Sequence, residues 1–236
     1  MALTPRTRIL ICVLPAMALP FVGALLYFIF LLGSPIGRAI YGATKLFTLV
    51  WPVVAVWAVE KQPLTRQEIG LTRFVRSIPL GFLSGLVIAA VMIGLYQWTV
   101  LGDHVRFHRA MIREAVEKLG LRTPAIYVIF GVFLAGFHSL LEEYFWRWYV
   151  FSRLSRVFSV PVAYGLASLA FAGHHYVVLS AYFPAWAVVL FGTSVGIGGG
   201  FWCWLYRRQA SLVGAWASHL VVDAAILIIG YQLLFI

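Results

Sequence analysis

Long apolar stretches alternate with short polar segments along the whole chain. Each stretch is long enough to cross a bilayer as a helix, which takes about 18 residues or more. No stretch alternates apolar and polar residues with a period of two, which excludes a transmembrane barrel. The pattern predicts about seven membrane-spanning helices, at residues 9–32, 40–59, 78–100, 123–149, 160–181, 184–206 and 212–235.

The composition agrees with an all-α, polytopic membrane bundle. Of the 236 residues, 62% are hydrophobic and 11% charged, whereas charged residues make up about 25% of a soluble domain. The net charge of +10 is spread over the ends of the apolar stretches, which excludes a nucleic-acid-binding stripe. No linker or internal repeat divides the chain, so residues 1–236 are predicted to form one membrane domain. Its first two spans, within residues 1–59, carry no motif.

The basic residues also predict the orientation of the chain. With the N-terminus inside, the inner segments hold ten Lys and Arg residues and the outer segments six, which favours this orientation. Arg66 and Arg153 are among the inner ten, whereas Lys45 and Arg147 fall within spans. The first apolar stretch runs unbroken to Leu32, so we expect a retained span and not a cleaved signal peptide. We expect a multi-pass protein of a bacterial inner membrane.

The polar connection at 101–122 has the pattern of an amphipathic helix on the membrane surface. Its basic residues would face headgroups or water, as would His104 and His108, to which we assign no catalytic role. The residues expected to face lipid are Phe107, Met111, Ala115 and Leu119.

Small residues at intervals of four predict close contacts between helices. They are Gly192, Gly196 and Gly200 in the sixth span, and Gly81 and Gly85 in the third. The sixth span is not a phosphate-binding loop, because it lacks both the strand–turn–helix context and a lysine. Cys12 and Cys203 lie in apolar stretches without ligand spacing and are expected to be inert.

A small set of polar residues lies inside the spans of the second half. An Asp, Glu or Arg near mid-bilayer costs about 2.5–3.5 kcal/mol, so such residues mark a functional site by default. They must face one another or a watery cavity, since lipid offers no partner. The set consists of His138, Glu142, Glu143, Arg147, His174, His175, His219 and Asp223.

Helical spacing assigns different surroundings to the two adjacent glutamates. Glu143 and Arg147 are four residues apart and can form a charge pair. Glu142 lies about 100° further around the helix and shares a face with His138. A desolvated carboxylate takes up protons more readily, as a general base requires. His219 and Asp223 are also four apart and can converge on the same site.

Two further expectations concern the histidines of the fifth span. His174 and His175 are adjacent and point apart, so we expect only one of them to enter the site. At 1.5 Å per residue, Glu143 and His219 lie roughly 10–12 Å from the inner ends of their predicted spans, but His175 lies roughly 22 Å away. The spans as predicted therefore place His175 at a different depth.

Three motifs in order resemble the CPBP, or Abi, family of intramembrane glutamic endopeptidases, which includes the type II CAAX prenyl endopeptidases. The family patterns are Glu-Glu-x-x-x-Arg, Phe-x-x-x-His and His-x-x-x-Asn/Asp. They appear here as Glu142-Glu143-Tyr-Phe-Trp-Arg147, Phe171-Ala-Gly-His-His175 and His219-Leu-Val-Val-Asp223. Softer likenesses lie at 64–71 and 211–217, so residues 60–236 would form the protease-like core.

The resemblance implies that the protein hydrolyses a peptide bond of a membrane-associated protein or peptide, without a cofactor. In family terms, Glu142 and His175 would activate a water. His219 and the residue at position 223 would stabilise the oxyanion, and Asp223 could do so when protonated or by orienting His219. Glu143 and Arg147 would support the first motif helix. The implied partners are this substrate and the bilayer, with no nucleic acid and no defined oligomeric state.

Two other functions stay open at this stage. The first is a metal-dependent intramembrane protease, with zinc held by Glu142, His138, His175 and His219; the sequence has no HExxH spacing. The second is a membrane transporter or immunity-type binding protein, because buried carboxylates and histidines also serve proton-coupled transport. No inverted repeat supports transport.

Overall fold

The computed structural model describes residues 3–62 and 73–236, and these ranges are helical with no strand. The seven predicted spans and the all-α class are confirmed by seven helices long and apolar enough to cross a membrane. Two shorter helices follow the third span. The helices are α1 (Pro5–Phe30), α2 (Pro35–Val59), α3 (Phe74–Trp98), α4 (Val100–Phe107), α5 (Arg109–Lys118), α6 (Pro124–Val157), α7 (Val160–Ser180), α8 (Ala185–Gln209) and α9 (Leu212–Phe235).

Short polar residues determine where several of these helices begin. The side chains of Thr4, Ser34, Thr123 and Ser211 accept hydrogen bonds from backbone N–H groups in the first turns of α1, α2, α6 and α9. These N–H groups have no partner within their own helix. In α1, α2 and α6 a proline follows the cap, at a position that needs no N–H donor.

The fourth span is longer than the sequence indicated. The apolar pattern placed its end at residue 149, whereas α6 continues to Val157. Glu142 and His175 therefore each lie fifteen residues from the connection between α6 and α7, or about 22 Å at 1.5 Å per residue. For the glutamates of α6 the predicted difference in depth is wrong, because the end of the fourth span was placed too early. His219 still lies seven residues, or about 10 Å, from Leu212 at the start of α9.

The extension of α6 also changes the assignment of one basic residue. Arg153 was counted in an inner loop, but it is 1% exposed and lies inside α6. Its Nε atom lies 2.9 Å from Oε2 of Glu60, at the end of α2. A buried carboxylate neutralises this guanidinium, so it lies in the protein interior and not in a loop. The soft likeness at 64–71, and with it Arg66, falls outside the described residues.

Small residues bring the helices of two pairs into close contact, as predicted. A Cβ atom on Gly81 would lie 2.1 Å from the backbone oxygen of Gly214, so α3 and α9 touch backbone to backbone. Gly85 meets Ser218 of α9 in the same way. In the second pair, the three α8 glycines face residues of α7: Gly192 faces Tyr176, Gly196 faces Ala172 and Gly200 faces Ser168.

The polar connection forms two helices, α4 and α5, where one was predicted. Phe107 and Met111 are exposed as expected, at 83% and 39%. Ala115 and Leu119 are instead partly buried. Leu119 packs with a cluster that joins α5 to the end of α9, so this part of the connection lies against the protein and not against lipid.

Candidate active site

The first motif lies in the middle of α6, where the helix changes its winding. Ser139–Glu143 is α-helical, and π-helical stretches, Leu134–His138 and Tyr144–Phe151, flank it on both sides. Such wide turns occur often at functional sites. His138 Nε2 lies 3.2 Å from Glu142 Oε1, so these two residues share a face as predicted.

Glu143 is held by an arginine at the next turn of α6. Arg147 Nη1 lies 2.9 Å from Glu143 Oε1, and both side chains are fully buried. The guanidinium carbon also lies 4.4 Å from the ring centre of Phe171 and 5.1 Å from that of Trp202. Cation–π contacts of this kind stabilise a charge that is removed from water. The predicted Glu143–Arg147 pair is thus present and closed to solvent.

Both histidines of α7 lie beside Glu142. His174 Nε2 is 3.6 Å from Glu142 Oε1, and ligand atoms of Glu142, His174 and His175 all lie within 4.8 Å of one another. The expectation that only one histidine enters the site is wrong. Adjacent side chains diverge by about 100°, but each of the two imidazoles has a ring nitrogen within 4.8 Å of a Glu142 carboxylate oxygen.

The surroundings of the two histidines differ. His175 Nδ1 lies 2.9 Å from the backbone oxygen of Phe171 and can donate a hydrogen bond to it. The His174 ring stacks on Trp146, with ring centres 5.4 Å apart and planes 4° apart. His174 Nδ1 is buried and has no hydrogen-bond partner among the described residues. A buried nitrogen without a partner is costly, and this distinguishes His174 from His175.

His219 of α9 connects the two glutamates. Its Nδ1 lies 2.8 Å from Glu143 Oε1 and donates a hydrogen bond to it. Its Nε2 lies 3.8 Å from Glu142 Oε2 and 3.5 Å from Asp223 Oδ1. The predicted His219–Asp223 pair therefore faces Glu142, and α6, α7 and α9 meet at one buried cluster of carboxylates and imidazoles.

Sequence reasoning did not identify Trp202 of α8 as part of this site. Its ring stacks on His219, with ring centres 3.9 Å apart. Its Nε1 donates a hydrogen bond to Ser218 Oγ at 3.2 Å. The aromatic ring thus fixes the plane of the imidazole. The spacing along α8 gave no signal for this contact, because it depends on how α8 packs against α9.

The imidazole nitrogens and carboxylate oxygens of the site are of the types that bind a metal ion. However, the residues whose ligand atoms lie close together are not the four that were predicted as ligands. The predicted ligands were Glu142, His138, His175 and His219. The three whose ligand atoms lie within 4.8 Å of one another are Glu142, His174 and His175. Two imidazoles and a carboxylate with an open position form a known type of catalytic zinc site.

Fold and site together define a polytopic helical membrane protein with a carboxylate–histidine cluster buried among its spans. Residues 121–225 match the family model described as Type II CAAX prenyl endopeptidase Rce1-like. The match confirms the family that the three motifs indicate, for the part of the chain that carries them. This family implies a CAAX-type membrane protease, and hence a hydrolase. No curated protein and no solved structure matches the chain.

Proposed function

We propose that this protein is an intramembrane endopeptidase of the glutamic type, with Glu142 as the base that activates water. The observation that carries the proposal is the contrast between the two glutamates. Glu143 is neutralised by Arg147 at 2.9 Å. Glu142 instead faces three imidazoles, at 3.2 Å, 3.6 Å and 3.8 Å, each of which can exchange a proton.

In the first step, Glu142 accepts a proton from a water while the water oxygen attacks the carbonyl carbon of the peptide bond. His174 and His175 orient this water, the second in the role that the family resemblance implies. A C–O bond forms, and the carbonyl electron pair moves to the oxygen. In this step His219 is an imidazolium, which keeps its Nδ1–H on Glu143 and donates a hydrogen bond from Nε2–H to this oxyanion, the kind of interaction that lowers the barrier of acyl transfer.

In the second step the C–N bond breaks, and the leaving nitrogen takes the proton that Glu142 received. The products are one new carboxyl group and one new amine, and no external reagent is consumed beyond water. Asp223 acts in this scheme by orienting His219, because its Oδ1 lies 3.5 Å from Nε2. Glu143 and Arg147 hold His219 and α6 in place.

The substrate in this proposal is a membrane-associated protein or peptide, because the cluster lies about 22 Å along α6 and α7 from their connection. We also propose an orientation with the N-terminus inside a bacterial inner membrane, which the distribution of basic residues supports.

The test compares protein termini in membranes that carry the wild type or Glu142→Gln. This change keeps size and hydrogen bonding but removes the base, so we expect a set of new termini to disappear. Glu117→Gln is the control, since Glu117 is an exposed glutamate on α5. Identical termini from wild type and Glu142→Gln, both folded and abundant, would favour a transport or binding role.

The zinc-dependent alternative rests on the Glu142, His174 and His175 cluster. A tight chelator distinguishes it within the same experiment. The glutamic mechanism requires that the termini persist after chelation and that purified protein contains no stoichiometric metal. Loss of the termini with chelator, restored by added zinc, would replace the glutamic mechanism with the metal-dependent one.

A further inference from the structure

A single lysine lies in the middle of α2, a span without a motif. Lys45 is ten residues from Pro35, where α2 begins, or about 15 Å at 1.5 Å per residue. Within Pro35–Val54, the buried residues are Gly37, Thr48 and Pro52, and Lys45 lies on the same face, partly buried. A lysine at this depth is costly and marks a function by default.

The packing of α2 directs this face towards the candidate active site. Tyr144, the residue after Glu143, donates a hydrogen bond from its hydroxyl to the backbone oxygen of Leu49 at 3.1 Å. Phe47 and Phe145 pack with ring centres 6.4 Å apart. Lys45 is one turn before Leu49, on the helix that packs against α6 beside Glu142 and Glu143.

The ammonium group of Lys45 lacks a fixed anionic partner. Its Nζ atom lies 5.2 Å from the ring centre of Tyr41, a cation–π contact that provides no negative charge. Within residues 3–62 and 73–236, no carboxylate lies within ion-pair distance of this atom. The other intramembrane cations differ in this respect, since Arg147 pairs with Glu143 and Arg153 with Glu60.

We propose that Lys45 binds a carboxylate of the substrate and thereby selects which peptide bond reaches Glu142. The inference rests on the proposed function. A substrate anion supplies the partner that the described residues lack, and an ammonium–carboxylate contact is of the strong, charge-assisted kind. Two sources carry this chemistry, the free C-terminus of a peptide and an Asp or Glu side chain.

The test measures binding of fluorescent peptides to the full-length protein in lipid vesicles, with Glu142→Gln as the background that prevents cleavage. One short apolar peptide is used in three forms. The first ends in a free carboxylate, the second in an amide, and the third in an amide but with an internal Glu. We expect one carboxylate form to bind about tenfold or more tightly than the plain amide.

Adding Lys45→Met should lower the affinity of that form to the level of the plain amide. Lys45→Arg should retain most of the preference, since it retains the charge. Lys118→Met is the control, because Lys118 is an exposed lysine on α5 that pairs with Glu114 at 2.7 Å. Lys45→Gln repeats the test with a polar side chain in case the Met variant does not fold.

Each outcome separates this inference from the protease proposal. If the wild-type protein, which retains Glu142, cleaves these peptides but the peptides with a carboxylate bind no more tightly than the plain amide, the role of Lys45 is overturned and the protease proposal stands. Lys45-dependent binding without any cleavage supports Lys45 and contradicts the protease. A carboxylate preference that survives Lys45→Met overturns the inference, as does a failure of both carboxylate forms to bind more tightly than the plain amide, and neither result bears on the protease.

Discussion

At the scale of single residues, two neighbouring glutamates have opposite surroundings. Glu143 is fully enclosed and bound to a guanidinium and to Nδ1 of His219. Glu142 faces imidazoles that can give or take a proton. The two carboxylates therefore have different partners, a guanidinium for Glu143 and several imidazoles for Glu142, because the two side chains leave α6 about 100° apart.

Loss of Arg147 should destabilise the protein strongly. Arg147→Met leaves Glu143 as a buried charge without its cation, and breaking a buried pair in this way costs about 3–5 kcal/mol. The double variant Glu143→Gln/Arg147→Met should regain part of this loss, because the uncompensated charge is gone and the amide oxygen still accepts from His219. The measurement is the free energy of unfolding in an SDS titration.

Arg109→Met is the control for this series, since Arg109 lies exposed at the start of α5. It should unfold like the wild type. If Arg147→Met were as stable as Arg109→Met, the buried pair would contribute nothing to the fold, and its role as a support for His219 would lose its basis.

At the scale of helices, the spacing of residues along the chain predicted contacts within one helix but did not predict contacts between different helices. The pairs His138–Glu142, Glu143–Arg147 and His219–Asp223 all follow from four-residue spacing, which backbone geometry fixes. The contacts of His174 and Trp202 depend on how α7 and α8 pack against their neighbours. The sequence pattern contains no such distance, so these two residues were not assigned to the site.

The end of α6 shows a second limit of the sequence pattern. Arg153 looked like a loop residue because a charge normally ends a membrane span. The carboxylate of Glu60, far away in the chain, pairs with it and lets the helix continue. A hydropathy pattern treats each residue alone and does not detect a partner from another helix, so it ended the span too early.

The contact between α3 and α9 gives a prediction at this scale. Gly81→Ala places a methyl group against the backbone oxygen of Gly214, and neither helix backbone can yield locally. We expect a loss of about 1–3 kcal/mol, as for other overpacked contacts. The free energy of unfolding in SDS measures it.

Gly42→Ala is the matched control, because a Cβ atom at Gly42 meets nothing within 4 Å. It should be neutral or slightly stabilising, since alanine favours a helix over glycine. Equal stability of the Gly81 and Gly42 variants would mean that α3 and α9 do not touch at these residues.

At the scale of the whole molecule, the site draws on more of the chain than the motifs suggest. The motifs lie in α6, α7 and α9, and the family match covers only residues 121–225. Yet Tyr144, next to Glu143, donates a hydrogen bond to the backbone oxygen of Leu49 in α2, and Glu60 pairs with Arg153 of α6. These contacts support the prediction that the first two spans and the protease-like core form one domain.

The arrangement of spans predicts which positions face opposite sides of the membrane. Since α6 crosses the bilayer between them, Glu117 on α5 and Ser159 after α6 must lie on different sides. Cysteines at these exposed positions should react with an impermeant maleimide from opposite sides, Glu117→Cys from outside if the N-terminus is inside. Cys12 and Cys203 are 1% and 2% exposed and should stay unreactive in the folded wild type. Labelling from the same side would contradict the crossing of α6, whereas opposite sides in the reverse sense would overturn only the orientation.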